Sequence, residues 1–472
     1  MSPEAARARR GAALVLVLAC GLAYAGIFRA VPQFDDYVAI FEESRVASVT
    51  AWWASMPGIR PLLKLSYALN RELGSLPAFH ATNLLLHIAC VLLAWRVLRH
   101  VIPGRDEAAA LLAALLFALH PVNTEAVTML SGRSVSFSTL AILASLLALL
   151  HARRGLSLLF FGVAVAIRET ALVLPALATL LMAWQGGWRE AAAAGPALRA
   201  AFGQTRWHWA IALLLFGLVL ALPRYRELLA FSFATRDPLA NLLSQATAIP
   251  WLIGQLLQPF ALDPDPRLRT FTAWTPLAVA LTGAWLAIVA GIVRGLPRGS
   301  FVAFALAWFL LALLPTNSLI PRLDLANGRQ AYLAALPLFA VLAVAICRLA
   351  RIRRATAVLL AAVLLALLGT ATAMRNDDYR SERAFWSAAI AVNPGNARAW
   401  NNYGLALENE SPPAPERAAS AYREALRLDP ADYKPAHNLR RLCVSQGGEW
   451  RSGACRAVYN PPPPDQPPPR VP

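Results

Sequence analysis

The chain has 472 residues, 57% hydrophobic and 15% charged, with a net charge of +17 and a mean hydropathy of +0.48. Soluble globular chains carry roughly a quarter charged residues, so a soluble enzyme of this size is not expected; runs such as Gly11 to Phe28, with no ionisable group except Cys20 and Tyr24, can cross a bilayer. The positive charge does not point to nucleic acid, because the basic residues form short clusters between apolar runs and not one face or arm.

In chain order, apolar runs place spans near residues 11–29, 82–98, 108–120, 135–150, 156–167, 170–184, 209–222, 273–293, 300–314, 331–347 and 355–373. This is an all-α, polytopic membrane protein with about eleven transmembrane helices. Three runs are shorter than a perpendicular span; 108–120 extends into the polar stretch after it, and 156–167 with 170–184 reads equally as one re-entrant hairpin. Arg7, Arg9 and Arg10, then Arg96, Arg99 and Arg105, Arg153 and Arg154, Arg294 and Arg298, and Arg348, Arg351, Arg353 and Arg354 recur at alternate span ends. That pattern sets the N-terminus in the cytoplasm; richness in alanine, arginine and proline favours a bacterium, and with it the inner membrane. Ala23, Tyr24 and Ala25 before Gly26 also form a small-x-small site of the kind signal peptidase cleaves, but the apolar stretch is longer than a usual signal core, so a retained anchor is the simpler reading.

Three segments follow: a membrane domain over 1–375 with a first outer loop at 30–81, a reduced repeat module over 376–442, and a cysteine loop with a proline-rich tail over 443–472. An odd number of spans puts the last hundred residues outside the cytoplasm. Cys20, Cys90 and Cys347 lie in apolar runs, whereas Cys443 and Cys455 flank Gly447, Gly448 and Trp450 in a loop of the length that disulfides close. Such a pair implies an oxidising compartment, in agreement with the charge rule. Ala418, Tyr422, Ala425 and Pro430 match half of a tetratricopeptide repeat, and Trp400, Tyr403 and Gly404 its first helix, with extra residues near Ser411 to Pro415. A half-repeat ends at Trp386, Ala389 and Pro394 and another begins near Ala436 and Leu439, fewer than a free solenoid requires.

Chemistry is expected where polar residues interrupt the lipid-facing pattern. Phe34, Asp35, Asp36 and Tyr37 open the first outer loop, and adjacent carboxylates at a membrane surface are costly unless solvated, paired or metal-bound; read blandly, they cap a helix or line a turn. His80, Asn83 and His87 share one helix face. His120, Asn123 and Glu125 follow the third span, Gly132 and Arg133 precede the fourth, and Arg168 and Glu169 lie at a hinge between two short helices. Each group alone also reads as an interfacial cap or a buried pair holding helices together; their convergence on one side favours a substrate site.

In order, F-D-D-Y, A-F-H-A-T-N-L-L-L-H, A-L-H-P-V-N-T-E-A-V with S-G-R, R-E-T-A-L-V-L-P, L-L-P-T-N-S and G-R-Q-A-Y-L-A-A-L-P resemble the transmembrane and tetratricopeptide-containing O-mannosyltransferases and their bacterial relatives. The resemblance extends over almost the whole chain, including L-L-x-P and D-P-D-P within Asp237 to Pro266. It implies a C-type membrane glycosyltransferase: an inverting enzyme moving a sugar, mannose by family expectation, from a polyprenyl-phosphate donor to an acceptor hydroxyl on protein Ser or Thr, with a glycolipid acceptor as the alternative. It further implies Asp35 as the general base and Asp36 as the group positioning the acceptor or a metal. An acid of pKa about 4 removes an alcohol proton only as the sugar carbon develops oxocarbenium character. Arg329, at the arginine of the family's R-x-x-Y-L pattern, and Arg168 are the implied donor-phosphate ligands, with His80, His87, His120, Glu125, Arg133 and Glu169 as polar groups of the substrate site.

Relatives commonly carry lysine where this chain has Arg168, and its repeat array is much reduced, which bears on acceptor choice. No zinc-binding spacing occurs; Asp35, Asp36 and Glu125 would suit a hard divalent cation if the fold gathers them. Two other classes compete. A membrane scaffold recruiting an envelope protein through the repeats would leave Asp35 facing no cavity, and a secondary transporter would carry its acids at span centres and not in outer loops.

Overall fold

The computed structural model describes residues 3–190, 194–451 and 454–456. The chain divides into two compact units, Met1–Arg380 and Ser381–Pro472. Both are helical among the described residues, apart from one two-stranded ribbon.

The principal helices of the first unit are α1 (Pro3–Ala23), α2 (Pro61–Glu72), α3 (Leu76–Val101), α4 (Glu107–Leu119), α5 (Arg133–Leu150), α6 (Arg154–Ile167), α7 (Leu174–Gln185), α8 (Ala194–Ala221), α9 (Pro238–Leu257), α10 (Pro276–Gly295), α11 (Phe301–Leu313), α12 (Leu336–Ala350) and α13 (Arg354–Asp378). Six helical stretches are long and apolar enough to cross a membrane, or eight if each of two bent pairs counts as one span; α6, Glu169–Gln185 and α11 are shorter apolar helices. The first bent pair turns by 52° after Leu119 and the second by 61° at Ala334 to Leu336. Proline accounts for both breaks. Pro121 and Pro337 have no N–H to continue a ladder and start the next helix at its first turn.

α4 is the centre of the unit: Ala109, Ala110, Ala113, Ala114, Leu116 and Phe117 are buried among α1, α3, α12 and α13. Its alanines let neighbours approach closely, the packing mode that membrane helices use in place of a hydrophobic driving force. By contrast α10 and α13 leave most of their apolar side chains exposed, as lipid-facing helices do.

In the second unit, helices α14 (Glu382–Val392), α15 (Ala397–Asn409), α16 (Pro415–Leu428) and α17 (Tyr433–Ser445) pack in sequence and lead into strands β1 (Glu449–Arg451) and β2 (Ala454–Arg456). Ser381, Asn396 and Asp432 cap the helices that follow them. Tyr422 packs its ring against Gly404 so closely that a Cβ there would lie 2.6 Å from it, and its hydroxyl donates to Glu408 at 2.6 Å. Cys443 is disulfide-bonded whereas Cys20, Cys90 and Cys347 are free thiols. The backbone of Cys455 pairs with Trp450, and its side chain and the proline-rich tail lie outside the described residues.

Candidate functional site

The two adjacent acids of the first loop lie in different surroundings, within a turn that begins at one strained residue. Phe34 adopts a positive φ of 43°, and the Asp36 N–H closes the turn onto the Gln33 carbonyl at 2.8 Å. Asp36 is fully buried; its carboxylate accepts from Gln33 N–H at 3.0 Å, Leu130 N–H at 3.2 Å and Ser131 N–H at 2.7 Å. Burial pushes its pKa above the ordinary carboxylate range, against the lowering pull of those three donors. Asp36 thus fastens the first loop to the segment before α5, and does not line the adjoining cavity.

Asp35, with its side chain 66% exposed, does line a cavity of about 190 Å³, together with Arg60, Tyr67, Ser131, Ser134, Arg168, Arg322 and Arg329. Four guanidiniums come from four places in the chain. Arg60 is held by Glu169, with Nε donating at 2.8 Å and a second nitrogen bonding the other carboxylate oxygen. Arg329 is paired to Glu125 at 2.9 Å and to Asp35 at 3.6 Å. Among the described residues, Arg168 donates only to hydroxyls, Ser134 at 2.7 Å and Thr170 at 3.1 Å, and Arg322 has no carboxylate within ion-pair distance. Burial and the like charges of their neighbours push both down from the ordinary arginine value, Arg168 facing Arg60, Arg322 and Arg329 in turn. Such crowding of cations is relieved by an anion with several acceptor oxygens.

Gly132 and Gly328 explain how Glu125 reaches Arg329. A Cβ on Gly132 would lie 2.2 Å from the Glu125 carbonyl oxygen, and one on Gly328 2.7 Å from Glu125 Oε2. Only glycine permits both approaches. A second recess of about 50 Å³ shares Arg168 and Arg329 and is lined by the apolar Val135, Ile142, Val173 and Leu333.

The polar groups on the helix faces are not gathered at this cavity, and the expectation of a convergent histidine set is corrected. His80 bonds the Ala30 carbonyl at 3.1 Å; His87 bonds the Tyr332 hydroxyl at 2.7 Å and the Ala118 carbonyl at 3.3 Å; His120 bonds the Leu256 carbonyl at 3.1 Å and accepts from Val122 N–H. Arg133 is fully buried, donating to Asn83 at 2.7 Å, Ser66 O at 3.0 Å and Phe79 O at 3.1 Å. The histidines meet backbone groups at helix ends and breaks, where helical partners are missing, whereas Arg133 braces carbonyls inside α2 and α3. Glu125 and Glu169 act one step back, holding Arg329 and Arg60. Asp35, Asp36 and Glu125 do not assemble a metal site: no metal-binding group of acids, histidines or cysteines occurs among the described residues, and Arg329 stands between Asp35 and Glu125.

Sequence reasoning missed Arg60 and Arg322. Signals existed for both: Arg60 precedes a helix-starting proline in the polar first loop, and Arg322 lies in L-I-P-R-L-D between two of the motifs quoted above.

The architecture defines an all-α polytopic membrane protein with an acid beside four arginines, of which Arg168 and Arg322 form no ion pair among the described residues. Comparison with curated proteins identifies the relatives. The chain is 26% identical to Protein O-mannosyl-transferase Tmtc3 of Drosophila melanogaster over 91% of its own length and 56% of that protein. It is 26% identical to TMTC3 of Mus musculus over 81% of its length and 45% of the relative, and 34% identical to mouse TMTC1 over 31% of its length and 17% of the relative. The chain is a relative of the TMTC protein O-mannosyl-transferases, and it spans about half the length of the TMTC3 proteins it matches. No family model and no solved structure matches it.

Proposed function

We propose that the protein is an inverting membrane glycosyltransferase that moves a sugar, mannose by analogy with its relatives, from a polyprenyl-phosphate donor to a protein Ser or Thr hydroxyl. The carrying observation is the pair Arg168 and Arg322, two guanidiniums without a carboxylate partner in the cavity that Asp35 lines. A phosphate supplies the missing counter-charge.

In this reading Asp35 accepts the proton of the acceptor hydroxyl as its oxygen bonds the sugar carbon. The bond from that carbon to the phosphate oxygen breaks on the opposite face, its electron pair leaves with the polyprenyl phosphate, and Arg168, Arg322 and Arg60 stabilise that charge. Inversion follows from the single displacement. Arg329 positions Asp35 and is itself oriented by Glu125. The cavity lies on the extracytoplasmic side of an inner membrane if the arginine clusters at the opposite span ends follow the charge rule; no nucleotide sugar is available there, which favours a lipid-linked donor. Helices α14–α17 are the natural seat of tetratricopeptide-type acceptor recruitment, with Gly404, Ala418, Tyr422 and Ala425 in the repeat's small and aromatic positions. The scaffold alternative requires Asp35 to face away from any cavity, and Asp35 lines one.

The test is transfer of labelled mannose from synthetic polyprenyl-phosphate mannose to membrane acceptors by the wild type beside Asp35→Asn. Loss of transfer at unchanged protein level supports the reading. A wild type that transfers no sugar from any lipid-phosphate donor overturns it.

A further inference from the structure

We propose that the membrane domain carries a second anion site, at the helix ends opposite the Asp35 cavity, which takes the phosphate of an anionic phospholipid headgroup. α1 ends shortly before the Asp35 turn and α5 begins at Arg133 beside Ser134, so the start of α1 and the end of α5 lie a helix length away, roughly 27–30 Å. At those far ends a cavity of about 450 Å³ opens between α1, α3 and α5. Arg9 and Arg10 reach it from α1, Trp95, Arg96 and Arg99 from α3.

Of these four guanidiniums, two share one acid. Arg99 donates to both oxygens of Glu107 at 2.5 Å, and Arg9 reaches the same carboxylate at 3.3 Å. Arg10 and Arg96 form no ion pair among the described residues. The independent observation is Trp95. It is 5% exposed, packs under Arg99 at 5.4 Å, and its indole N–H, closed off from solvent behind the cavity wall, has no acceptor among the described residues. Guanidinium and indole nitrogens only donate hydrogen bonds, so this wall calls for a ligand rich in acceptors and negatively charged. Phosphate meets both demands. A lipid source is favoured over a free one because the lining continues into Ala13, on α1, whose apolar residues are largely uncovered by the protein. Arg10 and Arg96 are exposed, so both are open to a headgroup entering from the membrane surface.

The experiment is native mass spectrometry of the detergent-solubilised full chain titrated with phosphatidylglycerol, phosphatidylcholine or inorganic phosphate. Phosphatidylglycerol is expected to bind at least about tenfold tighter than phosphatidylcholine. Arg10→Gln with Arg96→Gln should weaken it roughly thirtyfold, and Trp95→Phe, which keeps the ring and removes the N–H, a few-fold at unchanged melting temperature. Arg153→Gln with Arg154→Gln removes equal charge from exposed positions outside the cavity and should change nothing, as should Asp35→Asn. The site is overturned if phosphatidylglycerol shows no preference or if the Arg153/Arg154 pair weakens it as much as the Arg10/Arg96 pair. Inorganic phosphate binding as tightly as phosphatidylglycerol overturns the lipid assignment in favour of a soluble anion.

Discussion

Arg60 and Arg322 line the same cavity but differ in what they face within the protein, so their removal should move stability in opposite directions while lowering activity together. Arg60 forms a two-point pair with Glu169, and the two side chains are 34% and 26% exposed. Breaking a fully buried pair costs about 3–5 kcal/mol because one charge is left desolvated. Partial exposure reduces this to about 2 kcal/mol for Arg60→Gln, and Glu169→Gln in the same chain should restore most of it. Among the described residues Arg322 has no carboxylate within ion-pair distance, and Arg329 and Arg60 press on it more than Glu169 and Asp324 attract it. Arg322→Gln should leave the ligand-free protein unchanged or more stable by up to about 1 kcal/mol. Against the donor, each loses a charge-assisted contact of about 1.5–3 kcal/mol, a roughly 10- to 150-fold fall in kcat/KM. Intrinsic tryptophan fluorescence during thermal melting in detergent, paired with the mannose-transfer assay, reads both quantities. An Arg322→Gln protein that melts as low as Arg60→Gln would refute the reasoning, because Arg322 would then serve the fold and not an absent anion.

Asp35→Asn should abolish transfer without moving the melting temperature, since its carboxylate is exposed and makes only a 3.6 Å ion pair, whereas Asp36→Asn should destabilise by about 2–3 kcal/mol as one of two acceptor oxygens becomes a donor facing backbone N–H groups; the two melting curves separate the roles. Gly328→Ala should displace the Glu125 carboxylate and lower kcat with the protein still folded, while Gly132→Ala, meeting backbone at 2.2 Å, should prevent folding, as measured by the monodisperse yield on size-exclusion chromatography. Glu43 is held at about 2, chiefly by its hydrogen bonds from Arg45, with Lys64 adding a charge. A depressed carboxylate stabilises above its ordinary pKa of about 4.5 and loses this as pH falls toward 2, so the melting-temperature gap between wild type and Glu43→Gln should narrow on acidification.

What could be read from the sequence follows from which physical signals are local. The lipid-facing runs and the helical class are compositional, and the breaks are announced by Pro121 and Pro337. The convergence of Asp35, Arg168 and Arg329 on one cavity accords with the order of the quoted motifs. Helix-face spacing, by contrast, reports direction and not partner. His80, His87 and His120 lie on inward faces, but what they meet are carbonyls and an N–H freed where helices stop, and a one-dimensional pattern holds no information about those partners. The same blindness hid Arg60 and Arg322, whose loops carry no periodicity.

Asp35 and Asp36 show most sharply what decides function here. Two identical side chains, adjacent in sequence in a turn that begins at the positive φ of Phe34, meet different surroundings: one faces a cavity and the other binds three backbone donors. The strain of holding a phenylalanine in that region, on the order of 1 kcal/mol, is offset by Asp36, whose bonds reach across to Leu130 and Ser131. Those residues directly precede Gly132, whose backbone rests on Glu125, and Glu125 in turn orients Arg329 beside Asp35. The buried acid and the exposed acid are therefore coupled through one closed circuit of contacts, and the structural aspartate sets where the chemical one can act.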